Sequence, residues 1–291
     1  MFQVACMRKA NREALLTKKI GFKPKINPQI LKTLAAHYHS NVSICDRGVF
    51  NIKTWEADKR DVVLWAGNQY QNFGITKSEL QRRIDDILKS GQEKTVLLIE
   101  KELQHFNDKM IKDCTNVCVP TFTAFAHFGD YVTYRHIDMG HNFAWFLPTK
   151  VKVAKIWLFW KRITKFNTKF SSYTCDEAEL LSYFKYKDKP QVYVQLPGTV
   201  MTFKPFVPHC VVTVFEKKGA AILVGPNFAY QNDYENIEKY IKMGSGFGKG
   251  SKDAYEAVEY YIDYFSKSSN NRCNVEKWRS LKKKYKTKAA K

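Results

Sequence analysis

No run of apolar residues in the 291-residue chain approaches the roughly 20 needed to cross a bilayer; the nearest is the short IWLFW at 156–160. A membrane-spanning helix is not expected on that ground. The opening MFQVACMRKANREALL lacks the long apolar core of a secretory leader, so an intracellular setting is expected. Cysteine is sparse and unpaired: Cys6, Cys45, Cys114, Cys118, Cys175, Cys210 and Cys273 are odd in number and scattered, as suits thiols in a reducing compartment rather than a disulfide framework. Cys114 and Cys118 have a C-x3-C spacing, but no second pair follows at finger spacing, which argues for structural thiols over zinc. Nor is there an internal repeat, a low-complexity linker or a phosphate loop. The stretch GSGFGKGS at 244–251 has Met243 where a Walker A pattern ending at Lys249 needs glycine, and Gly250 where it needs Ser or Thr.

Acidic residues are the other shortage. Lys and Arg outnumber Asp and Glu by 48 to 28, a formal net charge of +20, so the molecular field repels cations and draws polyanions such as chromatin, RNA or an acidic membrane surface. Part of the excess lies between Ser266 and Lys291, where ten Lys or Arg face the single acid Glu276. That end reads either as a disordered solubilising tail or as a nucleic-acid-binding or nuclear-import segment. A second basic stretch runs from Lys150 to Lys169 without an acid and falls inside the apolar middle of the chain.

What is abundant is apolar and aromatic: 44% hydrophobic residues, with 20 Phe and 16 Tyr, enough for a substantial core and consistent with β-rich parts. Residues 1–115 read as a mixed, mostly helical region. INPQILKTLAAHYH and TKSELQRRIDDILKSG carry helical spacing, the second with Thr76 as N-cap and Glu79 three residues on, while VFNIKTWEA and DVVLWAG read as short strands. Residues 116–230 turn to strand-length runs: VCVPTFTAFAHF, DYVTYRHIDMG, AKIWLFWKR, QVYVQL, TVMTFKPF, HCVVTVF and AAILVGPNF. So many strands in so short a span imply a sandwich or barrel. Residues 231–291 return to helix in DYENIEKYIKM and DAYEAVEYYIDYF and end in the basic tail.

The segment richest in chemistry is TYRHIDMGHNFAWF. His136 and Asp138 are two apart in a strand-like run and so share a face. An imidazole and a carboxylate at such positions, joined by a distant imidazole, make the facial triad of non-haem Fe(II) oxygenases, which leaves half of the coordination sphere open. His209, 71 residues beyond Asp138 at the start of HCVVTVF, is the second imidazole that a later strand would return to the metal.

Together these residues resemble the Jumonji-C (JmjC) oxygenases, most closely the lysine demethylases joined to F-box or PHD-finger domains. The matching parts are Thr133, then His136-Ile137-Asp138-Met139-Gly140, Trp145, and Lys155-Ile156-Trp157-Leu158-Phe159. Further on come Gly198-Thr199-Val200-Met201-Thr202-Phe203, Pro208-His209-Cys210-Val211-Val212-Thr213 and Gly225-Pro226-Asn227-Phe228, so the resemblance spans about Val117 to Tyr240. It implies an α+β fold: a double-stranded β-helix (jelly-roll or cupin-like) barrel flanked by N- and C-terminal helices. It also implies Fe(II) on His136, Asp138 and His209, 2-oxoglutarate as cosubstrate with its distal carboxylate on Lys155 and Thr133, and O2 as oxidant. Thr133 is an odd number of residues from His136, so a bulge or the strand's entry must re-aim it. Two extra residues within 147–154 make Lys152 the rival of Lys155. Phe146 and Met139 depart from the family pattern, and His141 reads as a partly exposed structural histidine or a group that orients a ligand. Tyr131, Tyr134, Phe143 and Trp145 are candidate pocket walls.

The implied activity is hydroxylation or demethylation of N-methyl-lysine in a protein such as a histone, in the nucleus. The charge leaves two alternatives: a hydroxylase of a ribosomal protein, RNA or nucleobase, or a silent JmjC-like scaffold that binds nucleic acid through the basic tail.

Overall fold

The computed structural model describes residues 2–38, 44–45, 50, 52–65, 82, 116–138, 140–161, 175–185, 188–217, 219–243, 252–267 and 272–289. The expected helix around Thr76, Cys114 and the glycine-rich turn at 244–251 lie outside them.

Among the described residues ten strands fall into two sheets. They are β1 (Ile44–Cys45), β2 (Val62–Trp65), β3 (Val117–His127), β4 (Tyr131–Val132), β5 (His141–Phe146), β6 (Val153–Phe159), β7 (Gln191–Gln195), β8 (Val200–Phe203), β9 (His209–Phe215) and β10 (Ala221–Tyr230). One sheet has the order β1-β2-β8-β5-β10-β3, the other β4-β9-β6-β7, and every pairing but β1–β2 is antiparallel. The α+β expectation holds at this level: helices with antiparallel sheets.

The residues that separate the sheets explain why the middle strands read as near-continuous apolar runs. On β6, Val153, Trp157 and Phe159 join Ala144, Phe146, Met201, Phe203, Val211 and Phe215 in a core drawn from both sheets. The alternate residues Ala154, Ile156 and Leu158 join Cys210, Val212 and Val214 in a second core beneath helices α1 (Phe2–Ile20), α2 (Pro28–Ala36) and α4 (Glu177–Tyr183). A strand buried on both faces loses its polar alternation. Two helix starts are capped as their sequences dictate. The Asn27 carboxamide accepts from Gln29 N ahead of Pro28, and Asp176 accepts from Glu179 N at 2.7 Å.

Three readings are corrected. VFNIKTWEA is not a strand: Ile52–Ala57 is helix α3, with Ile52 and Trp55 buried at i and i+3, a spacing that only a helix places on one side. DYVTYRHIDMG is strand only at Tyr131–Val132, and the strand that follows it is the fully buried β5. Of the two readings of the basic tail, the disordered one gives way to helix α7 (Arg272–Ala289): Val275, Trp278 and Leu281 are buried at helical spacing, and Trp278 and Leu281 pack with Ile237 of α5 (Tyr234–Met243) and Tyr261, Ile262 and Phe265 of α6 (Lys252–Lys267). Trp278 Nε1 donates to Gln231 O at 2.8 Å, which ties α7 to the end of β10.

Candidate metal centre

The chain leaves β4 at Val132 and returns to pairing four residues later. Thr133 N donates to Val211 O at 2.9 Å, and His136 and His209 then exchange both backbone bonds, at 2.9 and 2.8 Å. Three steps from Thr133 to His136 therefore face two from Val211 to His209, which is a β-bulge. Its effect is to set Thr133 and His136, an odd number of residues apart, opposite Val211 and His209 and so on one face. The bulge also lets the Thr133 hydroxyl stand in for its carbonyl, since Oγ1 accepts from Val211 N at 2.8 Å.

His136, Asp138 and His209 are brought together. Their donor atoms all lie within 4.8 Å of one another, and the imidazole centroids are 4.1 Å apart. His136 Nδ1 lies 2.9 Å from Tyr134 O and His209 Nδ1 lies 3.0 Å from Val207 O. A carbonyl only accepts, so each Nδ1 carries a proton, and in the neutral ring each Nε2 offers a lone pair. Those lone pairs point at Asp138, with His136 Nε2 at 3.8 Å from Oδ1 and His209 Nε2 at 3.4 Å from Oδ2. Burial holds His209 down at about 4, so it is neutral at pH 7. Two ring nitrogens and a carboxylate oxygen converge on one point, an arrangement that a divalent cation satisfies. Two nitrogens and one carboxylate oxygen fit Fe(II) in kind.

The turn before His209 is strained on purpose. Phe206, a non-glycine at φ 64°, donates its N–H to Asp138 O at 3.0 Å, so the left-handed backbone of one ligand's turn fixes the backbone of another ligand. Phe203 on β8 closes on the His209 ring at 4.6 Å.

Farther along the same inner face, Lys155 is buried between the sheets, opposite Thr213. Its Nζ donates to Thr213 Oγ1 at 3.0 Å and lies 5.4 Å from the Phe146 ring, and burial pulls it down to about 7. Among the described residues no carboxylate pairs with it. His127, held low first by burial and then by the Lys155 charge, adds no anion. The rival Lys152 is at the surface, 3.0 Å from Glu216. Thr213 ends the Pro208–Thr213 stretch of the resemblance but was given no role, because only strand register places it beside Lys155. Asn142 and Asn227 were likewise unmarked as a pair, although they face each other across β5 and β10.

The other candidates fall elsewhere. His141 is buried rather than partly exposed: it accepts from Trp55 Nε1 at 3.3 Å and faces Asp233 at 3.0 Å, which joins α3, β5 and the end of β10. The alternation of β5 sends Phe143 and Trp145 to the side opposite Ala144 and Phe146, away from the core between the sheets, and Phe143 meets Phe50 there at 4.7 Å. Tyr134 stands 5.1 Å from the His136 ring and Tyr131 4.9 Å from His127. Met139 lies outside the described residues.

No family model matches the chain, and no curated protein does. Among solved structures it is similar to an oxidoreductase of the 2OG-Fe(II) oxygenase family from Burkholderia pseudomallei, at 11% identity and a TM-score of 0.37, over 65% of this chain and 95% of that one. So slight a likeness carries no weight for the chemistry, which rests on the residues themselves. No helix among the described residues is long and apolar enough to cross a membrane.

Proposed function

We propose that the chain is an Fe(II)- and 2-oxoglutarate-dependent oxygenase of the JmjC type, with iron on His136, Asp138 and His209. The observation that carries this reading is the convergence of two imidazole lone pairs and one carboxylate on a single point, with half of the coordination sphere left to other ligands. Lys155 supports the cosubstrate. A buried ammonium with a hydroxyl beside it and, among the described residues, no carboxylate partner suits the distal end of a small dicarboxylate, and Thr133 lies on the same face between it and the triad. The double-stranded β-helix reading is supported by strand order: from β3 to β10 the chain crosses between the two sheets at every step except β6 to β7.

When bound, Fe(II) with 2-oxoglutarate and O2 supplies the oxidising power for hydroxylating a C–H bond, with succinate and CO2 as co-products. The protein holds and orients. Lys155 and Thr133 anchor the cosubstrate, with Thr213 bonding the Lys155 ammonium, the Nδ1 bonds to Tyr134 and Val207 fix both imidazoles, and Trp157, Phe159 and Phe203 keep water from the inner wall.

The substrate follows from the resemblance: N-methyl-lysine in a basic protein such as a histone, where hydroxylating the methyl carbon releases formaldehyde. The net charge of +20 favours a second reading, an RNA substrate. Both are tested by succinate formation from 2-oxoglutarate with Fe(II) and ascorbate, comparing the native chain with His136→Ala, alone and with bulk histones or RNA. The expected result is turnover in the native chain that falls to background in the variant. Stimulation by histones with release of formaldehyde selects the first substrate, and stimulation by RNA the second. No turnover under any condition contradicts the oxygenase.

A further inference from the structure

The C-terminal helices do more than cover the sheet. α6 and α7 build an apolar cluster of Tyr261, Ile262, Phe265, Trp278 and Leu281, and the residues that pack onto it include Ile137 and Phe206. Ile137 sits between two proposed ligands, and Phe206 is the strained residue whose N–H bonds Asp138 O. The metal turn and the C-terminal helices thus share one core.

At its centre Tyr261 is fully buried, and its hydroxyl has no hydrogen-bond partner among the described residues. Leaving such a group unsatisfied is destabilising, so its presence asks for a reason. The hydroxyl occupies the space a side chain at position 140 would fill: a Cβ on Gly140 would lie 2.5 Å from it and 2.7 Å from Phe228 O, so only glycine fits two residues from Asp138. Burial above all, then the Cys118 thiol and the Asp138 and Asp233 carboxylates, raise the hydroxyl well above the usual range, so it stays a donor. Asp233 is already served, because its Oδ2 takes Tyr230 N at 2.8 Å and faces His141 Nε2 at 3.0 Å. The Asp138 carboxylate has no N–H or O–H donor among the described residues and faces only the two imidazole nitrogens.

We propose that Tyr261 is a positioning residue for the metal, its hydroxyl the donor that the Asp138 carboxylate takes up when a cation is held. This rests on the metal-centre reading. A ligating carboxylate oriented by a hydrogen bond from a second residue is a better ligand, and losing such a partner typically costs 10- to 100-fold in metal affinity.

The test titrates Co(II) into the full-length native chain, Tyr261→Phe, the neighbouring packing control Ile262→Val, and His136→Ala, with the melting temperature of each metal-free protein. Expected are about 10-fold or greater weakening in Tyr261→Phe with an unchanged or raised melting temperature, and native affinity in Ile262→Val. Native affinity in Tyr261→Phe overturns the inference, whether or not that variant melts lower, since the hydroxyl would then serve only packing or the Phe228 carbonyl. Equal weakening in Ile262→Val also overturns it, as an effect of helix packing. If the native chain binds no Co(II), or His136→Ala binds it equally well, the metal centre itself fails and the inference falls with it.

Discussion

Asp138→Ala abolishes metal binding and leaves the fold in place. The native chain binds one divalent ion, and the variant binds more weakly by well over the 10- to 100-fold that removing a mere supporting partner costs, because a direct ligand is gone. The imidazoles are not enough alone: they supply no negative charge, and the Nε2 atoms are positioned around the carboxylate that stands between them. The fold survives because Asp138 is partly exposed and its structural contribution is a backbone bond, Phe206 N to Asp138 O, which alanine keeps. The melting temperature of the metal-free protein therefore stays within about 2 °C of native. Calorimetric titration with Co(II), and melting with and without it, measure both. A variant that binds as tightly as the native chain removes Asp138 from the site.

Lys155→Met has two opposite effects. Affinity for 2-oxoglutarate, measured with the metal site filled, falls on the order of 10²- to 10³-fold, the loss expected when one partner of a buried charge-assisted pair is removed. Stability without cosubstrate rises. In the folded chain Lys155 is held at about 7 against an ordinary 10.5, so between those values the unfolded chain binds a proton that the folded one does not. The burial penalty is fully present below pH 7, is relieved as pH climbs, and is gone above about 10.5. Methionine fills the same space without the charge. The variant should melt higher than the native chain at pH 7 by an amount that shrinks toward pH 10, and 2-oxoglutarate should raise the melting temperature of the native chain alone. Equal melting at pH 7 and at pH 10 would show that Lys155 carries no such penalty.

The sequence made the ligands visible because chemistry restricts them: few residue types bind a divalent ion, and H-x-D in a strand-like run is a local pattern. It did not carry the bulge. Thr133 could be seen to need re-aiming, but that Val211 and His209 face Thr133 and His136 with one residue to spare is a matter of pairing between distant segments. The pairing of Thr213 with Lys155 and the place of Tyr261 were invisible for the same reason. Thr213 is next to Lys155 only through register, and Tyr261 reads as one tyrosine among several on an aromatic helix. Local cues also misled where two signals overlapped. Alternation in VFNIKTWEA looked like a strand, yet the buried pair Ile52 and Trp55 is helical. Lysine density at the C-terminus hid the spacing of Val275, Trp278 and Leu281, whose burial orders the helix despite the charge on its other side.

The most direct test of the oxygenase centre is anaerobic absorbance of the native chain with Fe(II) and 2-oxoglutarate added separately and together. A visible charge-transfer band that needs both, and that is absent from Asp138→Ala and weakened in Lys155→Met, is the predicted result. The absence of any band in the native chain under saturating Fe(II) and 2-oxoglutarate would contradict the account at its root.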